Sequence, residues 1–90
     1  MSYREEFPDF PEADMPAIPA GWEDISWHND ACPSFDMGEG RVVYVDYADK
    51  AQREWPDAPR FVVTFDPGDN SSIRTVLETD DWAEVLTPGF

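Results

Sequence analysis

The chain has one cysteine, Cys32, one histidine and only six basic side chains among its 90 residues. A single thiol cannot form an intramolecular disulfide, and secreted domains of this size usually depend on several. The first residues are acidic where a signal peptide is basic, and no apolar run approaches the roughly 20 residues of a membrane-spanning helix. These absences predict a cytoplasmic protein without a membrane partner.

The sequence motifs of common enzyme classes are also missing. The chain contains no Gly-x-Ser-x-Gly, P-loop or dinucleotide-binding fingerprint. Ninety residues form one small domain, which leaves little volume for a substrate pocket. We therefore expect a protein that is not an enzyme, with no catalytic residues, no cofactor and no bound metal.

Acidic side chains dominate what is present. Twenty acids against six bases give a formal net charge of −14, and a surface with this charge repels nucleic acids and anionic membranes. Residues 1–39 contain ten acids and one base. Hydrophobic residues nevertheless make up 41% of the chain and aromatic residues 14%, more than a disordered acidic tail contains. The chain is therefore expected to fold and to avoid direct contact with nucleic acid.

Composition divides the chain at residue 20. Residues 1–20 hold four of the nine prolines among acidic residues, a composition that disfavours helix. They are predicted to form an acidic, proline-rich arm that is partly disordered or docked in an extended conformation through its apolar residues, Phe7, Phe10, Met15 and Ile18. Residues 21–90 are predicted to form a single α+β domain.

Four segments of this domain have strand-like patterns: residues 22–28, 41–47, 60–65 and 72–78. Residues 41–47 carry β-branched and aromatic side chains on both faces, which predicts a central strand. In the next segment Phe61, Val63 and Phe65 are expected to face inward and Val62, Thr64 and Asp66 outward. In the segment 22–28, Ile25 and Trp27 are expected to face the core.

The remaining segments are expected to be loops and short helices. Residues 29–40 are dense in turn-forming residues and are predicted to be loops anchored by Phe35. Asp49 is expected to cap a short helix that reaches Trp55. A terminal helix of about two turns, capped by Thr79, Asp80 or Asp81, contains Trp82, Val85 and Leu86 and ends at Pro88 and Gly89. Together the elements predict a small antiparallel meander of three to four strands with this short C-terminal helix packed on one face.

The excess of acid is the strongest functional signal. Carboxylates at alternate positions of a strand lie about 6.6 Å apart, a spacing of the same order as that of nucleic-acid phosphates. We predict a non-enzymatic acidic binding protein that engages a basic protein surface. In a narrower form of this prediction, the protein mimics nucleic acid and inhibits a nucleic-acid-handling or phage-defence protein. Charge that serves only solubility is the alternative. The candidate contact residues are paired acids and aromatic anchors: Trp22, Glu23, Asp24, Trp55, Asp80 and Asp81.

Two further functions stay open at this point. His28, Asp30 and Cys32 supply imidazole, carboxylate and thiol within five residues, which would suit a small metal- or thiol-dependent enzyme or accessory subunit. One histidine and one cysteine are, however, fewer than structural zinc usually requires. The other alternative is an obligate subunit or homodimer that pairs through an edge strand, either residues 60–65 or residues 73–78. The sequence leaves the oligomeric state open.

Overall fold

The computed structural model describes residues 2–69 and 71–87. Two short α-helices, α1 (Tyr3–Glu6) and α2 (Trp82–Leu86), lie near the two ends of the chain. Between them one antiparallel sheet has its strands in chain order: β1 (Glu23–Asp24), β2 (Ser34–Gly38), β3 (Arg41–Val45), β4 (Phe61–Phe65) and β5 (Arg74–Thr79). The predicted small α+β fold with an antiparallel sheet and a short C-terminal helix is confirmed.

The predicted count of three to four strands is wrong, because the segment expected to be a loop around Phe35 forms β2. Its turn-forming residues make the hairpin that pairs β2 with β3, with Gly38, Glu39 and Gly40 all at positive φ. Gly40 has to be glycine there, since a Cβ would lie 2.3 Å from the carbonyl oxygen of Asp66. The turn chemistry was recognised, but the strand leading into it was not.

The first predicted strand, residues 22–28, is reduced to the two residues of β1. Asp24 explains the early end, because its Oδ1 accepts a hydrogen bond from the Ser26 amide at 3.0 Å and turns the chain. Trp27, which was expected to face the core, is consequently 43% exposed. Ile25 is half-buried.

Both predicted helices are shorter than expected. The first is a single 3-10 turn, Lys50–Gln52, although Asp49 does cap it by accepting a hydrogen bond from the Ala51 amide. In α2, Asp81 is the N-cap and accepts from the Ala83 amide at 3.0 Å. The helix ends at Leu86, and Pro88 and Gly89, the predicted stop, lie outside the described residues. No helix in the described ranges has the length and apolar character required to cross a bilayer.

The core lies on one face of the sheet. Val43 pairs with Val63 and Val45 with Phe61 across β3 and β4, and all four side chains are at most 1% exposed. The inward positions predicted for Phe61 and Val63 are confirmed, whereas Phe65, also expected to face inward, is half-buried at the end of β4, where the guanidinium groups of Arg41 and Arg74 lie over its ring. Buried residues from the rest of the fold complete this cluster: Phe7, Phe10, Phe35, Tyr47 and Val85.

The N-terminal segment contributes to this core. It forms α1 and a 3-10 turn at Glu12–Asp14, so a continuous extended arm is not confirmed. Phe7 and Phe10 are buried, and the Phe10 ring lies 4.8 Å from that of Tyr47. Met15 and Ile18, the other two apolar residues expected to dock the segment, are half-buried against the same core. A division of the chain into an arm and a domain at residue 20 stays a prediction.

Candidate functional site

The face of the sheet opposite the core carries a cavity of about 310 Å³. Side chains alternate between the faces of a strand, so the residues between the core valines point to this second face. Tyr44 of β3 pairs with Val62 of β4, and Thr64 lies two residues further along β4. These three side chains, all half-buried, form the part of the cavity lining that belongs to the sheet.

Two loops supply the rest of the lining. The β1–β2 loop, residues 25–33, contributes Asp30, Ala31 and Cys32. The β3–β4 loop, residues 46–60, contributes the larger share: Asp46, Glu54, Trp55, Ala58, Pro59 and Arg60. The Trp55 side chain is 69% exposed, more than that of Ile73, Leu86 or Trp27. The cavity therefore combines an apolar floor with an exposed indole and several carboxylates.

The β3–β4 loop is held in shape by a buried arginine. Arg53 is 7% exposed, and its guanidinium donates to the carbonyl oxygens of Tyr47 at 2.6 Å, Ala58 at 2.9 Å and Ala48 at 3.4 Å. A planar fork of five N–H donors in fixed positions can satisfy several carbonyls in one plane at once. Arg53 thus closes the loop that presents Trp55.

A pair of serines holds the other loop. The Ser34 amide donates to Ser26 Oγ at 3.1 Å, and Ser26 Oγ donates to the Ser34 carbonyl at 3.4 Å. Both residues are almost fully buried, at 0% and 2% exposure. The loop is further tied to α1, where Glu6 accepts from the His28 amide at 3.1 Å and pairs with His28 Nδ1 at 2.8 Å. The hydrogen bond with the His28 side chain lowers the pKa of Glu6.

The carboxylates of the cavity act on one another and on the groups between them. Burial raises the pKa of the Cys32 thiol to about 12, and the negative charges of Asp46, Asp30 and Glu54 contribute to the rise. Burial also raises the pKa of Asp46 above its ordinary value, with a smaller contribution from Glu54. Removal of water from a carboxylate disfavours its charged form unless a cation approaches. The inner part of the site, at Cys32 and Asp46, is therefore partly desolvated, whereas Asp30 and Glu54 are exposed.

Arg60 is the cationic side chain among the described lining residues, and its hydrogen bonds go to backbone carbonyls. Its guanidinium donates to the carbonyl oxygens of Asp46 and Asp14 and lies 4.9 Å from the centre of the Phe61 ring. Burial lowers the pKa of Arg60. With Asp30, Asp46 and Glu54 in the same lining, carboxylates outnumber this cation three to one.

Of the six contact residues proposed from the sequence, Trp22, Glu23 and Asp24 lie at the β1 edge of the sheet. Trp22 is half-buried against the core, with its ring 6.0 Å from that of Trp82. Glu23 is exposed, whereas Asp24 caps local structure by accepting from the amides of Ser26 and, at 2.7 Å, Tyr3. In this group only Glu23 presents an exposed carboxylate.

The other three lie elsewhere in the fold. Asp80 accepts from the Arg60 amide at 2.8 Å, and Asp81 caps α2, so both carboxylates stabilise backbone turns. Trp55 alone of the six lines the cavity. The structure thus distributes the proposed residues over both edges of the sheet and the β3–β4 loop, and does not bring them together as one surface.

The alternative centred on His28, Asp30 and Cys32 gains no support from the geometry. His28 is exposed and paired with Glu6, while Cys32 is buried beside Tyr44 in the cavity. Over residues 2–69 and 71–87, no group of three His, Cys, Asp or Glu side chains is arranged to hold a metal ion. A thiol whose pKa is near 12 is protonated at neutral pH and is a weak nucleophile.

Sequence reasoning did not group the residues of the cavity. The outward positions of Val62 and Thr64 were predicted from alternation along the strand, and the same rule applied to Tyr44 indicates a second face with a shared floor. Glu54 lies in an irregular loop whose path depends on Arg53, so no periodicity predicts its position. Its one signal in the sequence is that it stands next to Trp55, in a loop that contains Pro56 and Pro59.

Comparisons with known proteins add no relative. No protein-family model, no curated protein and no solved structure matches this chain. Function is therefore argued from the cavity itself.

Proposed function

We propose that the chain is a non-enzymatic binding protein that engages a basic surface of a partner protein through the cavity on the second face of its sheet. The observation that carries the proposal is the combination in one cavity of exposed Trp55 with three carboxylates, Asp30, Asp46 and Glu54. Tryptophan is frequent at binding hot spots, and surrounding acids select cationic partners.

Charge acts over two ranges in this proposal. The net charge of −14 steers a basic partner toward the protein and speeds its association. The carboxylates of the cavity then act at short range, and the lower dielectric around half-buried Asp46 strengthens its contact with a cation, whereas Asp30 and Glu54 are exposed. Asp24, Asp80 and Asp81, which hold backbone turns, contribute to the long-range field rather than to direct contact.

A narrower form of the proposal places the cavity against the nucleic-acid-binding groove of the partner, so that the protein acts as a nucleic-acid mimic in the cytoplasm. Negative charge on a rigid sheet supports this form, since such a groove is basic and binds anions. Its distinguishing expectation is that DNA or RNA competes for the partner. A partner that binds the protein and nucleic acid together would remove the narrower form and leave the wider one.

The test is capture of partners from a lysate of the native source on the immobilised full chain and on matched variants. Trp55→Ala and Glu54→Gln alter the cavity, whereas Trp27→Ala and Glu84→Gln make the same changes at exposed positions outside its lining. We expect a basic protein that is released by salt, is retained by both control variants and is lost or strongly reduced with both cavity variants. Equal retention by all four variants would contradict the proposal.

A second candidate function is pairing of an edge strand with another chain, and β5 is the strand at which the structure favours it. The predicted edge strand at residues 60–65 is wrong, because β4 lies between β3 and β5. β5 is at the end of the strand order, with Ile73 62% exposed just before it. An edge of this kind can add a strand from a partner. Sedimentation of the chain alone tests the homodimer version, for which a monomer at all concentrations would be the contradicting result.

A further inference from the structure

The size of the cavity limits what can enter it. A volume of about 310 Å³ is at the lower end of the range of roughly 300–1,000 Å³ found for ligand pockets. It suits one long side chain rather than a helix or a folded loop. An occupant of this kind reaches the floor formed by Tyr44 and Val62 while the rest of the partner stays outside.

The lining specifies a cation with an apolar stem. Val62, Pro59 and the ring of Tyr44 offer apolar contact, and Asp30, Asp46 and Glu54 offer acceptors from both loops. Lysine and arginine both have this amphipathic form, since their methylene stems pack on apolar surface while the charged end seeks polar partners. The positions of the acids therefore distinguish basic side chains from neutral ones, but do not by themselves distinguish the two basic residues.

Two features favour arginine. The exposed Trp55 indole is a flat surface on which a planar guanidinium can stack, whereas an ammonium group makes only a point contact. The carboxylates are spread over the lining, with Asp46 at the start and Glu54 in the middle of the loop 46–60 and Asp30 in the other loop, so a fork with five donors can bond to more than one of them at once. A guanidinium is also less strongly hydrated, which lowers the cost of entering a partly desolvated site.

We infer that the cavity is an arginine-binding pocket, in which one arginine side chain of the basic partner stacks on Trp55 and donates to the carboxylates of Glu54 and Asp46. This inference rests on the proposed function and specifies the side chain that the partner inserts. Arg60 lies at the wall, where its guanidinium donates to the backbone carbonyls of Asp46 and Asp14. The Asp46 carboxylate accepts the Tyr47 amide through Oδ1 at 2.8 Å, which leaves Oδ2 for the incoming guanidinium.

The test uses three blocked tripeptides, acetyl-Gly-X-Gly-amide, in which X is arginine, lysine or citrulline, the neutral analogue of arginine. Each is titrated into the full chain while the indole N–H resonances of Trp55 and Trp27 are followed by NMR. We expect a saturable shift at Trp55 but not at Trp27 with the arginine peptide, affinity lower by about tenfold for lysine, and no shift for citrulline. Trp55→Leu, which keeps apolar area and removes the aromatic face, is expected to abolish the preference for arginine over lysine.

The outcomes separate the inference from the proposed function. Equal affinity for the arginine and lysine peptides, lost on Glu54→Gln, would overturn arginine selectivity and leave the cavity as a binding site for basic side chains. Binding of the arginine peptide that is unchanged in Trp55→Leu would also overturn it. If neither basic tripeptide nor a longer arginine- and lysine-rich peptide shifts the Trp55 resonance, the inference and the proposed cavity fail together.

Discussion

Arg53 Nε donates to the carbonyl oxygen of Tyr47 at 2.6 Å, inside the fold, and the same guanidinium also holds the carbonyls of Ala48 and Ala58. One of the few basic side chains of the protein therefore shapes the loop that carries Trp55. The relationship joins stability to function, because the loop that closes around Arg53 is the one that supplies most of the cavity lining.

Substitution of this arginine tests that joint role. Arg53→Lys keeps the charge but cannot bond to three carbonyls in one plane, and the buried acceptors it leaves unpaired cost about 1–3 kcal/mol of unfolding free energy. Urea unfolding measures the loss. Lys50→Arg, the reverse exchange at an exposed residue, serves as the control and is expected to change stability by less than about 0.5 kcal/mol. A similar small effect for both variants would contradict the role assigned to Arg53.

Ser26 is predicted to stabilise the β1–β2 loop. In Ser26→Ala the buried Ser34 amide loses its acceptor, which costs about 1–3 kcal/mol. The measurement is the free energy of unfolding in urea, compared with Ser72→Ala at an exposed position. If the two alanine variants are equally stable, the Ser26–Ser34 pair does not hold the loop.

The chemistry of Asp46 predicts a gain in stability from removing its charge. Its pKa is raised in the folded state, mainly by burial, so the folded protein binds this proton more tightly than the unfolded chain does. The stabilising effect of the proton is present below the ordinary value of 3.8 and is lost as the pH rises through the folded pKa. Asp46→Asn is therefore expected to unfold at a higher temperature than the wild type at pH 7, with the difference disappearing in acid.

Calorimetric scans of Asp46→Asn from acid to neutral pH check this expectation. Besides burial, the Tyr47 amide, which donates to Asp46 Oδ1, and the charges of Arg53, Glu54 and Arg60 act on this carboxylate. The scans are repeated for exposed Asp57→Asn, which changes the net charge equally. A pH-dependent gain that is the same in both variants would assign the effect to general repulsion. The account also predicts that Asp46→Asn weakens binding of a basic peptide while it stabilises the fold.

The N-terminal segment is predicted to be needed for the stability of the whole protein. Phe10 is 6% exposed and packs on Tyr47, so Phe10→Ala is expected to cost about 3–5 kcal/mol. Exposed Pro8→Ala in the same segment is expected to cost less than about 0.5 kcal/mol. Chemical unfolding of the two variants decides the point, and a Phe10→Ala variant as stable as Pro8→Ala would show that residues 21–90 form the domain without the arm.

Regular periodicity explains what the sequence predicted well. Alternation in β3 and β4 correctly placed Phe61 and Val63 in the core and identified these strands, because side chains on a pleated strand alternate between its two faces. Asp49 and Asp81 were recognised as caps because an aspartate before a helical turn accepts a backbone amide.

What escaped prediction depends on long-range contacts. β2 has few β-branched residues and exists through pairing with β3, and the cavity is formed by loops whose paths depend on Arg53 and the Ser26–Ser34 pair. Asp24 and Asp80 were proposed as partner contacts because a sequence shows charge but not hydrogen-bond partners. In the structure each of them accepts a backbone amide from a distant part of the chain, Tyr3 and Arg60 respectively.

The central claim is that the cavity, and not the overall charge, binds a basic partner. The most direct measurement is the affinity of an arginine-rich peptide for Glu54→Gln and Glu84→Gln over a series of salt concentrations. The account predicts that Glu54→Gln weakens binding by about fivefold or more and that Glu84→Gln, with the same net charge, stays close to the wild type. If the two variants lose peptide affinity equally, and the loss vanishes as salt is added, the claim is contradicted. The acidic surface would then attract the peptide only through its overall charge.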